Sequence, residues 1–469
     1  MRDALQEFAV SADEQDEFAR LCGDFNPIHI DPVFARRVVA GAPIAFGSLL
    51  ILKALDAWVA RHGGKFSLRR LRLTFDRAVR VGERVTVWGE VRDGRQQLTL
   101  IGAKGTAVSA EFTQAPNAGR GSVAGTTAPR EAPHDLAIDA VEGQRGEISL
   151  VLAPDLAGRL FPQLVAAAPP VQVAALCAIS RIVGMRCPGL HSIFLGLDIE
   201  FADPDGDVLS YRAEVPDRRF RRIRLAFTGA GVTGSADTML RPSAVVQPGS
   251  HELRSLVRAG EFSGIGAVVV GGSRGIGEVV AKLLALGGAD VCVTYHSGKG
   301  DADRVQADIV ASGGRATTAQ LDVLSTATVN GKAPPGTKSH LYYFATPRIQ
   351  RSQPTDFSRA IFDDYCAYYV HGFTSLLRAL PQESRADWRA FYPSTVFATD
   401  APPAFQEYAA AKAAGEVAAR AASRALRVPT TVVRLPMIQT DQTAGTAALS
   451  PMQAAELLVG EIRRLRDAP

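Results

Sequence analysis

An acid and an imidazole lie five residues apart near the start of the chain. Residues 21–32 read LCGDFNPIHIDP, with Asp24 and His29 on either side of Asn26 and Pro27. Because proline does not fit a helix interior, the segment is predicted to be a constrained loop that follows a helix. In such a loop one group can protonate a leaving hydroxyl while the other removes a carbon-bound proton. The alternative is a surface turn in which Asp24 caps a helix and His29 is solvated.

A second segment whose residues could bind a ligand is rich in glycine and reads AVVVGGSRGIG over residues 267–277. An apolar strand leads into a turn and then into a helix, so the glycines would let the backbone approach a pyrophosphate at the positive helix end. The residues predicted to bind a dinucleotide here are Gly271, Ser273, Arg274, Gly275, Ile276 and Gly277.

The residues at the end of the next predicted strand indicate whether the site prefers NADPH or NAD. NAD-selective sites place an acid on the ribose roughly 20 residues after the glycines. The chain instead reads TYHSGK over residues 294–299, without an acid. Arg274 and Lys299 could hold a 2′-phosphate and Ser297 could donate a hydrogen bond to it, which favours NADPH.

Tyr408 and Lys412 are four residues apart in the string YAAAK. On a helix they share a face, and a nearby ammonium lowers the pKa of a tyrosine so that it can shuttle a proton. The alternative is an ordinary alanine-rich helix.

The string GDFNPIHIDPVFA, followed by GAPIAFG, resembles the motif of MaoC-like dehydratases and (R)-specific enoyl thioester hydratases. The resemblance covers roughly residues 1–113 and implies a hot-dog fold, in which an antiparallel sheet wraps a long helix. It implies that Asp24 and His29 are the catalytic dyad and that Asn26 shapes the loop. It also implies that the backbone N–H of Gly47 polarises the thioester carbonyl. Many members have histidine where this chain has Phe46, which we interpret as a change in pocket shape.

Together, VGGSRGIG and YAAAK resemble the short-chain dehydrogenase/reductase family over roughly residues 264–465. The resemblance implies that Tyr408 is the proton donor and that Lys412 orients the ribose and lowers the pKa of Tyr408. Asp322 would hold the adenine. The hydroxyl that polarises the carbonyl falls on Thr395 by count, and the neighbouring Ser394 is the more usual residue type.

Three departures from that family affect the same predicted site. Tyr343-Phe344-Ala345-Thr346 replaces the usual Asn-Asn-Ala-Gly, the family's relay asparagine falls on Tyr369, and Met437 stands where glycine is usual. An active reductase and a domain that binds the cofactor without catalysis both remain open.

The elements around these motifs indicate three segments. Residues 1–113 and 134–240 share the order of a long helix followed by strands, while residues 262–469 alternate strands and helices. The expected fold class is an α+β double hot-dog, with a catalytic first half and a degenerate second half, followed by an α/β Rossmann fold with a doubly wound parallel sheet. Linkers are expected at about residues 114–133 and 241–261.

Composition excludes other classes of protein. The chain has 469 residues, of which 46% are hydrophobic and 21% charged, as is typical of globular proteins. Lysine and arginine exceed aspartate and glutamate by only four, which argues against nucleic-acid binding. The apolar runs are too short to span a bilayer, and no CxxC pair occurs. We therefore expect a cytoplasmic protein with no metal and no nucleic-acid or membrane partner, and the resemblances imply a homodimer.

The two resemblances share one intermediate. Reduction of a 3-oxoacyl thioester gives a 3-hydroxyacyl thioester, and loss of water gives the 2-enoyl thioester. We expect a bifunctional ketoreductase–dehydratase that uses NADPH and acts on acyl-carrier-protein or coenzyme A thioesters in fatty-acid or polyketide-type synthesis. The alternatives are the reverse reactions of β-oxidation, a dehydratase with a non-catalytic reductase-like module, and a non-catalytic docking scaffold.

Overall fold

The computed structural model describes residues 2–38, 41–115, 121–325, 334, 336–349, 356–381, 387–444 and 448–467. The chain forms two compact units, Met1–Ser243 and Ala244–Pro469. The predicted division into three segments stays a prediction, since the first two segments lie within one unit.

The first unit combines an antiparallel sheet with helices. Its elements are β1 (Arg2–Ala9), α1 (Ala12–Cys22), α2 (Pro27–Ile30), α3 (Pro32–Arg36), α4 (Gly47–His62), β2 (Leu68–Phe75), β3 (Arg84–Arg92), β4 (Arg95–Gly102), β5 (Gly105–Gln114), α5 (Ile138–Val141), β6 (Arg145–Ser149), α6 (Pro154–Leu160), α7 (Pro162–Ala167), α8 (Pro170–Arg181), β7 (Ser192–Phe201), β8 (Val208–Ala213), β9 (Arg222–Gly229) and β10 (Val232–Leu240). A π-helical turn, Ile182–Arg186, extends α8.

The strands of the first unit repeat one order twice. The ten-stranded sheet of the described residues runs β1-β3-β4-β5-β2-β7-β10-β9-β8-β6. If the strands of each half are numbered 1 to 5 along the chain, each half has the order 1-3-4-5-2 from the sheet edge to its centre. The second half is the mirror image of the first in this order. The centre is the antiparallel pair β2–β7, in register from Arg70 opposite Glu200 to Thr74 opposite Gly196. One continuous sheet therefore joins two halves of the same topology.

Two apolar helices, α4 and α8, pack on each other inside this unit. Nearly every residue of α8 is buried, and most of α4 is as well, which matches the all-round apolar pattern of an interior helix. One hydrophobic core includes residues from both halves. Gln172 of α8 bonds the backbone of Leu68 in both directions, accepting from its N–H at 2.9 Å and donating to its carbonyl at 2.8 Å. The halves are thus joined by core packing as well as by the sheet.

The second unit contains a parallel sheet. Its elements are α9 (Ser250–Leu253), β11 (Ile265–Val270), α10 (Gly275–Leu286), β12 (Asp290–Tyr295), α11 (Lys299–Ala311), β13 (Arg315–Gln320), β14 (Lys338–Tyr343), α12 (Arg359–Cys366), α13 (Phe373–Arg378), β15 (Trp388–Thr395), α14 (Phe397–Asp400), α15 (Gln406–Leu426), β16 (Thr430–Leu435) and α16 (Pro451–Asp467). A π-helical turn, Ala367–Gly372, joins α12 to α13.

All pairings in this second sheet are parallel, in the order β13-β12-β11-β14-β15-β16. The direction of winding reverses between β11 and β14. In open parallel sheets, ligands bind beyond the carboxyl ends of the strands at such a point. The predicted glycine loop follows β11, so the fold positions it there.

Both halves of the first unit contain the predicted order of a long helix followed by strands. The helix α1 is capped by Ser11 and Glu14 with both capping-box hydrogen bonds. The strands β1 and β10 were not predicted. Residues 116–120 of the first predicted linker lie outside the described residues, and the second predicted linker contains α9.

Candidate active sites

Asp24 lies in a tight connection between two helices, whereas His29 lies within the second of them, α2, so the predicted loop is shorter than expected. The helix α1 ends at Cys22, and Gly23 follows with a left-handed φ of 77°. A Cβ at Gly23 would lie 2.6 Å from the Cβ of Ala128, so only glycine fits this turn. The next helix begins at Pro27 and is capped by Asn26. The surface-turn alternative is therefore wrong, because Asn26 caps this helix and Asp24 is only 2% exposed.

The carboxyl group of Asp24 is buried and accepts two hydrogen bonds. Its Oδ1 accepts from the backbone N–H of Asn26 at 3.1 Å, and its Oδ2 accepts from the hydroxyl of Ser180 at 2.9 Å. Burial raises the pKa of Asp24 to about 7, although both hydrogen bonds lower it. At neutral pH a substantial fraction of this carboxyl therefore carries a proton that it can donate.

A glycine of the second half makes room for Asp24. Gly184 lies in the π-helical turn Ile182–Arg186, and a Cβ placed there would be 2.2 Å from Oδ1 of Asp24. Any side chain at position 184 would therefore displace the carboxyl group. The sequence motifs did not identify Gly184 or Ser180, because both are distant in sequence from the acid that they contact.

The imidazole of His29 is held in one orientation. Its Nδ1 lies 2.8 Å from the carbonyl oxygen of Ile44, to which it donates, so Nε2 is left as the basic nitrogen. The ring stacks on Phe46 with the centroids 3.9 Å apart. Burial lowers the pKa of His29 to about 4, with the charge of Arg241 as a smaller cause in the same direction. At neutral pH His29 is thus a neutral base.

Gln15 braces the backbone around His29. The amide nitrogen of this buried side chain donates to the carbonyls of His29 at 3.1 Å and Ile44 at 2.9 Å. Its amide oxygen accepts from the N–H of Phe46 at 3.3 Å. Gln15 is 1% exposed, and sequence reasoning missed it because a glutamine inside an amphipathic helix carries no motif.

Asn26 ties the loop to the second half of the sheet. Its Oδ1 accepts from the N–H of Ile28 at 3.2 Å. Its Nδ2 lies 2.9 Å from the carbonyl oxygen of Gly184 and 3.2 Å from that of Gly189. The side chain is fully buried, and its contacts fit the predicted role of shaping the loop, although it does not line the cavity.

Asp24, His29 and Gly47 line one cavity of about 240 Å³. Gly47 is the first residue of α4, where backbone N–H groups have no acceptor within the helix. The ring of Phe75 covers it, since a Cβ at Gly47 would lie 2.6 Å from that ring. Other lining residues include Ile28, Leu50, Val79, Ser180, Gly184 and Phe194. The wall is therefore formed by both halves of the sheet.

In the second unit, Tyr408 and Lys412 line a separate cavity of about 140 Å³ together with Thr395. The side chain of Thr395 forms a hydrogen bond with Tyr408. Burial nevertheless raises the pKa of Tyr408, and burial lowers the pKa of Lys412 to about 7. The expected lowering of the Tyr408 pKa by Lys412 is therefore not found in the protein alone: desolvation of the phenol is the largest cause, and the opposing cause is the hydrogen bond of Thr395.

The two candidate hydroxyls differ in orientation. Ser394 donates to Oε1 of Glu416 at 2.6 Å, while Thr395 bonds Tyr408. Successive side chains of a strand point to opposite faces, so only one of the pair can reach the tyrosine. The structure brings Thr395 into the cluster and directs the Ser394 hydroxyl away from it.

The glycine loop has the close packing that a dinucleotide site needs. Gly271 has a φ of 73° and Gly275 a φ of 56°, both left-handed. A Cβ at Gly277 would lie 2.4 Å from the carbonyl oxygen of Gly271. Gly275 also begins the twelve-residue helix α10, whose N-terminus faces this turn, and Ile276 lines the cavity of Tyr408. Ser273 lies within the same turn.

The predicted 2′-phosphate residues already have acidic partners. Arg274 lies 3.3 Å from Asp441 and 3.9 Å from Asp301, and Lys299 lies 2.6 Å from Asp303. Ser297 lies just after the end of β12. Asp322 follows β13 and accepts from the N–H of Leu324 at 2.9 Å. A bound phosphate would compete with these carboxylates for Arg274 and Lys299.

The described residues offer neither a metal site nor a membrane span. Among them, no group of three or more histidine, cysteine, aspartate or glutamate side chains could hold a metal ion. Within the same residues, every helix is too short or too polar to cross a bilayer.

Comparisons with known proteins place a domain at the start of the chain. Residues 2–111 match the family described as MaoC like domain. A 57-residue segment is 53% identical to an uncharacterised oxidoreductase of Methylorubrum extorquens, and one of the same length is 46% identical to a 3-oxoacyl-[acyl-carrier-protein] reductase of Synechocystis. Each match covers 12% of this chain and only 23% of the relative's length.

Solved structures of ketoreductases are also similar to part of the chain. An angucycline C-6 ketoreductase with bound NADP is 23% identical, with a TM-score of 0.36, over 43% of this chain and 89% of the other. A 3-oxoacyl (acyl-carrier-protein) reductase of Agrobacterium tumefaciens with NADP bound is 22% identical, with a TM-score of 0.38, over 45% of this chain and 90% of the other.

We predict that Gly184→Ala lowers turnover at the Asp24 site by about 100-fold or more. The added methyl group would overlap the carboxyl oxygens, and misplacement of a catalytic group by about 1 Å can cost about 100-fold in rate. The rate of water loss from a 3-hydroxyacyl thioester measures this effect. Gly158→Ala is the matched control, because nothing lies near its Cβ position. A Gly184→Ala protein with wild-type turnover would contradict the assignment.

We predict that Asp24→Asn stabilises the protein at pH 8. At that pH the folded chain must ionise a carboxyl whose pKa is raised to about 7, whereas the unfolded chain ionises it freely. The gain should reach up to about 4 kcal/mol at pH 8 and should disappear below about pH 4, where both states are protonated. Urea unfolding at the two pH values measures it. An equal difference in the free energy of unfolding between variant and wild type at both pH values would show that the charge of Asp24 is not the cause.

Proposed function

We propose that this chain, which joins a MaoC-like domain to a segment similar to short-chain dehydrogenases/reductases, is a bifunctional ketoreductase–dehydratase. Its substrates would be 3-oxoacyl thioesters of acyl carrier protein or coenzyme A. The observation that carries the proposal is that Asp24 and His29 line one cavity, where burial raises the pKa of the acid and lowers that of the base.

The dehydration step needs one proton donor and one proton acceptor. In this proposal Nε2 of His29 takes the proton from C2 of a 3-hydroxyacyl thioester, while Asp24 protonates the hydroxyl that leaves C3. The double bond forms between C2 and C3, and water departs. The bond from Nδ1 of His29 to Ile44 supports this assignment because it keeps Nε2 free of a proton.

The thioester carbonyl gains negative charge as C2 loses its proton. The N-terminus of α4 supplies backbone N–H groups, beginning at Gly47, on the wall of the same cavity. Such preorganised donors stabilise charge that develops in the transition state. This arrangement supports Gly47 as the residue that binds the carbonyl oxygen, and Asn26 as the residue that keeps the loop in place.

The reductase step is assigned to the second unit. The close packing at Gly271 and Gly277 and the helix end at Gly275 fit a dinucleotide, and the absence of an acid in residues 294–299 supports NADPH. Bound NADPH would supply the hydride that C3 receives. Tyr408 would donate its proton to the oxygen at C3, Thr395 would hold that oxygen, and Lys412 would orient the ribose.

One chain with both activities would retain the intermediate. The 3-hydroxyacyl thioester made by the second unit is the substrate of the first, and linkage raises its effective concentration. The relative described as a 3-oxoacyl-[acyl-carrier-protein] reductase supports this substrate class, over its 57-residue match. Fatty-acid or polyketide-type synthesis is the setting that we propose.

We also propose that the first unit is a double hot-dog. The repeated strand order and the paired helices α4 and α8 support a tandem repeat of residues 1–113 and 134–240. In this view the second half has no acid–imidazole loop of its own and contributes Ser180 and Gly184 to the site of the first. Residues 262–469 would form the reductase domain.

A second candidate is a dehydratase with a reductase-like module that binds the cofactor without turnover. It is favoured by Tyr369, which lies where the resemblance expects an asparagine and forms a 2.5 Å hydrogen bond with Thr346. The assay below distinguishes the two functions.

We predict a two-step conversion by the purified chain. With NADPH, a short 3-oxoacyl thioester should first gain two hydrogens and then lose one water, as read by mass spectrometry. Asp24→Asn should stop the reaction at the 3-hydroxyacyl thioester, and Tyr408→Phe should leave the 3-oxoacyl thioester unchanged, with losses of about 100- to 10,000-fold.

Two outcomes would change the proposal. A 3-oxoacyl thioester that stays intact, beside a supplied 3-hydroxyacyl thioester that loses water, would favour the second candidate. A fluorescence titration with NADPH would then test binding. If neither thioester reacts, the chain is not a ketoreductase–dehydratase.

The pH dependence of dehydration provides a separate prediction. Water loss requires Asp24 to be protonated and His29 to be neutral. The kcat/KM for dehydration should therefore fall as pH rises through about 7 and as it falls through about 4. Initial rates from pH 4 to pH 9 measure both limbs. A rate that keeps rising above pH 8 would contradict the assignment of Asp24 as the acid.

A further inference from the structure

The ammonium group of Lys412 is surrounded by tyrosine rings. Its Nζ lies 4.0 Å from the ring centre of Tyr369, 5.4 Å from that of Tyr392 and 6.0 Å from that of Tyr408. We refer to these three residues as the tyrosine cage. Lys412 is only 6% exposed and donates to the carbonyl oxygen of Pro393 at 2.7 Å. The ring of Tyr369 is the closest of the three and is within the range of a cation–π contact.

Tyr369 is held through its side-chain hydroxyl, its backbone carbonyl and one face of its ring. Its hydroxyl lies 2.5 Å from Oγ1 of Thr346, which itself donates to the carbonyl of Pro347, so Tyr369 is the donor. Its own carbonyl accepts from the hydroxyl of Tyr392 at 3.0 Å. Tyr365 stacks on the ring with an interplanar angle of 8°. A side chain held in this way presents its aromatic face to Lys412 in one orientation.

This arrangement differs from what the resemblance implies at the same position. The resemblance expects an asparagine here, whereas Tyr369 offers a ring face to the lysine. We propose that Tyr369 is a positioning residue for Lys412, whose ring binds and stabilises the ammonium group in place of a relay amide. The effect of this contact on reduction rests on the proposed function, whereas the contact between Tyr369 and Lys412 is independent of that function.

Among the described residues, the ionisable groups named here near Lys412 contribute rings or are already paired with arginines. Tyr392 and Tyr408 contribute rings. Glu416, one turn further along α15, is bonded by Arg434 at 2.7 Å and by Arg420 at 3.0 Å. Burial already lowers the pKa of Lys412 to about 7. Loss of the Tyr369 ring would remove a source of stabilisation for the charged form and lower this pKa further.

The test measures protonation of Lys412 without turnover. The full chain, without NADPH, is labelled with acetic anhydride across a pH range, and acetylation of Lys412 is followed by peptide mass spectrometry. The exposed Lys65 in the same sample serves as the reference. We expect Tyr369→Leu to lower the midpoint for Lys412 by about one pH unit, and Tyr369→Phe to leave it unchanged.

Further variants separate the ring from the fold. Circular dichroism checks that each variant is folded. A further variant, Thr346→Val, removes the acceptor of the Tyr369 hydroxyl while keeping the Tyr369 ring. If Tyr369→Leu does not fold, fluorinated phenylalanine at position 369 keeps the shape but weakens the negative face of the ring, and should lower the midpoint relative to Tyr369→Phe. An unchanged midpoint in folded Tyr369→Leu or with the fluorinated ring would overturn the proposal, as would an equal shift in Tyr369→Phe.

The same variants distinguish this proposal from the proposed function. If the labelling midpoint moves but no variant or wild-type chain reduces a 3-oxoacyl thioester, the positioning role stands and the reductase function fails. If wild type is an active reductase and the midpoint does not move, the positioning role fails alone. If both hold, the basic limb of the reductase pH profile should shift to lower pH in Tyr369→Leu.

Discussion

The first candidate site depends on a buried carboxyl group whose lost hydration is replaced by only two hydrogen bonds. Asp24 is brought to this position by a left-handed turn at Gly23 and is accommodated by the missing side chain of Gly184. Burial without a cationic partner is what raises its pKa into the range where it can act as an acid. The stability lost to this burial is offset by the core that surrounds it.

Desolvation also governs the second site, but there it acts on a phenol and an ammonium. It raises the pKa of Tyr408 and lowers that of Lys412. The two groups have similar proton affinities in water, but in this dry pocket the affinities move apart, because Tyr408 holds its proton more tightly and Lys412 loses its proton more easily. The aromatic rings stabilise the protonated form of Lys412, because they attract a cation without providing a counter-ion.

Local patterns in the sequence were sufficient for much of this architecture. The order of a long helix followed by strands and the strand–turn–helix of the glycine loop follow from patterns over a few residues, and both were predicted from the sequence. The strand β1 was missed because its burial is slight on both faces. Ser180, Gly184 and Gln15 could not be predicted to contact the dyad, since each contact depends on how separate segments pack. The choice between Ser394 and Thr395 likewise needed the direction of the strand faces.

The contact between Asp24 and the turn at Gly184 also affects how the two halves can diverge. In an enzyme built from identical subunits, one sequence must supply both the acid loop and the wall that receives it, so every change appears twice. Here the loop is encoded near residue 24 and its wall near residue 184. The loop and the wall can therefore change independently of each other, so the pocket can be less symmetric than the fold of the unit that contains it.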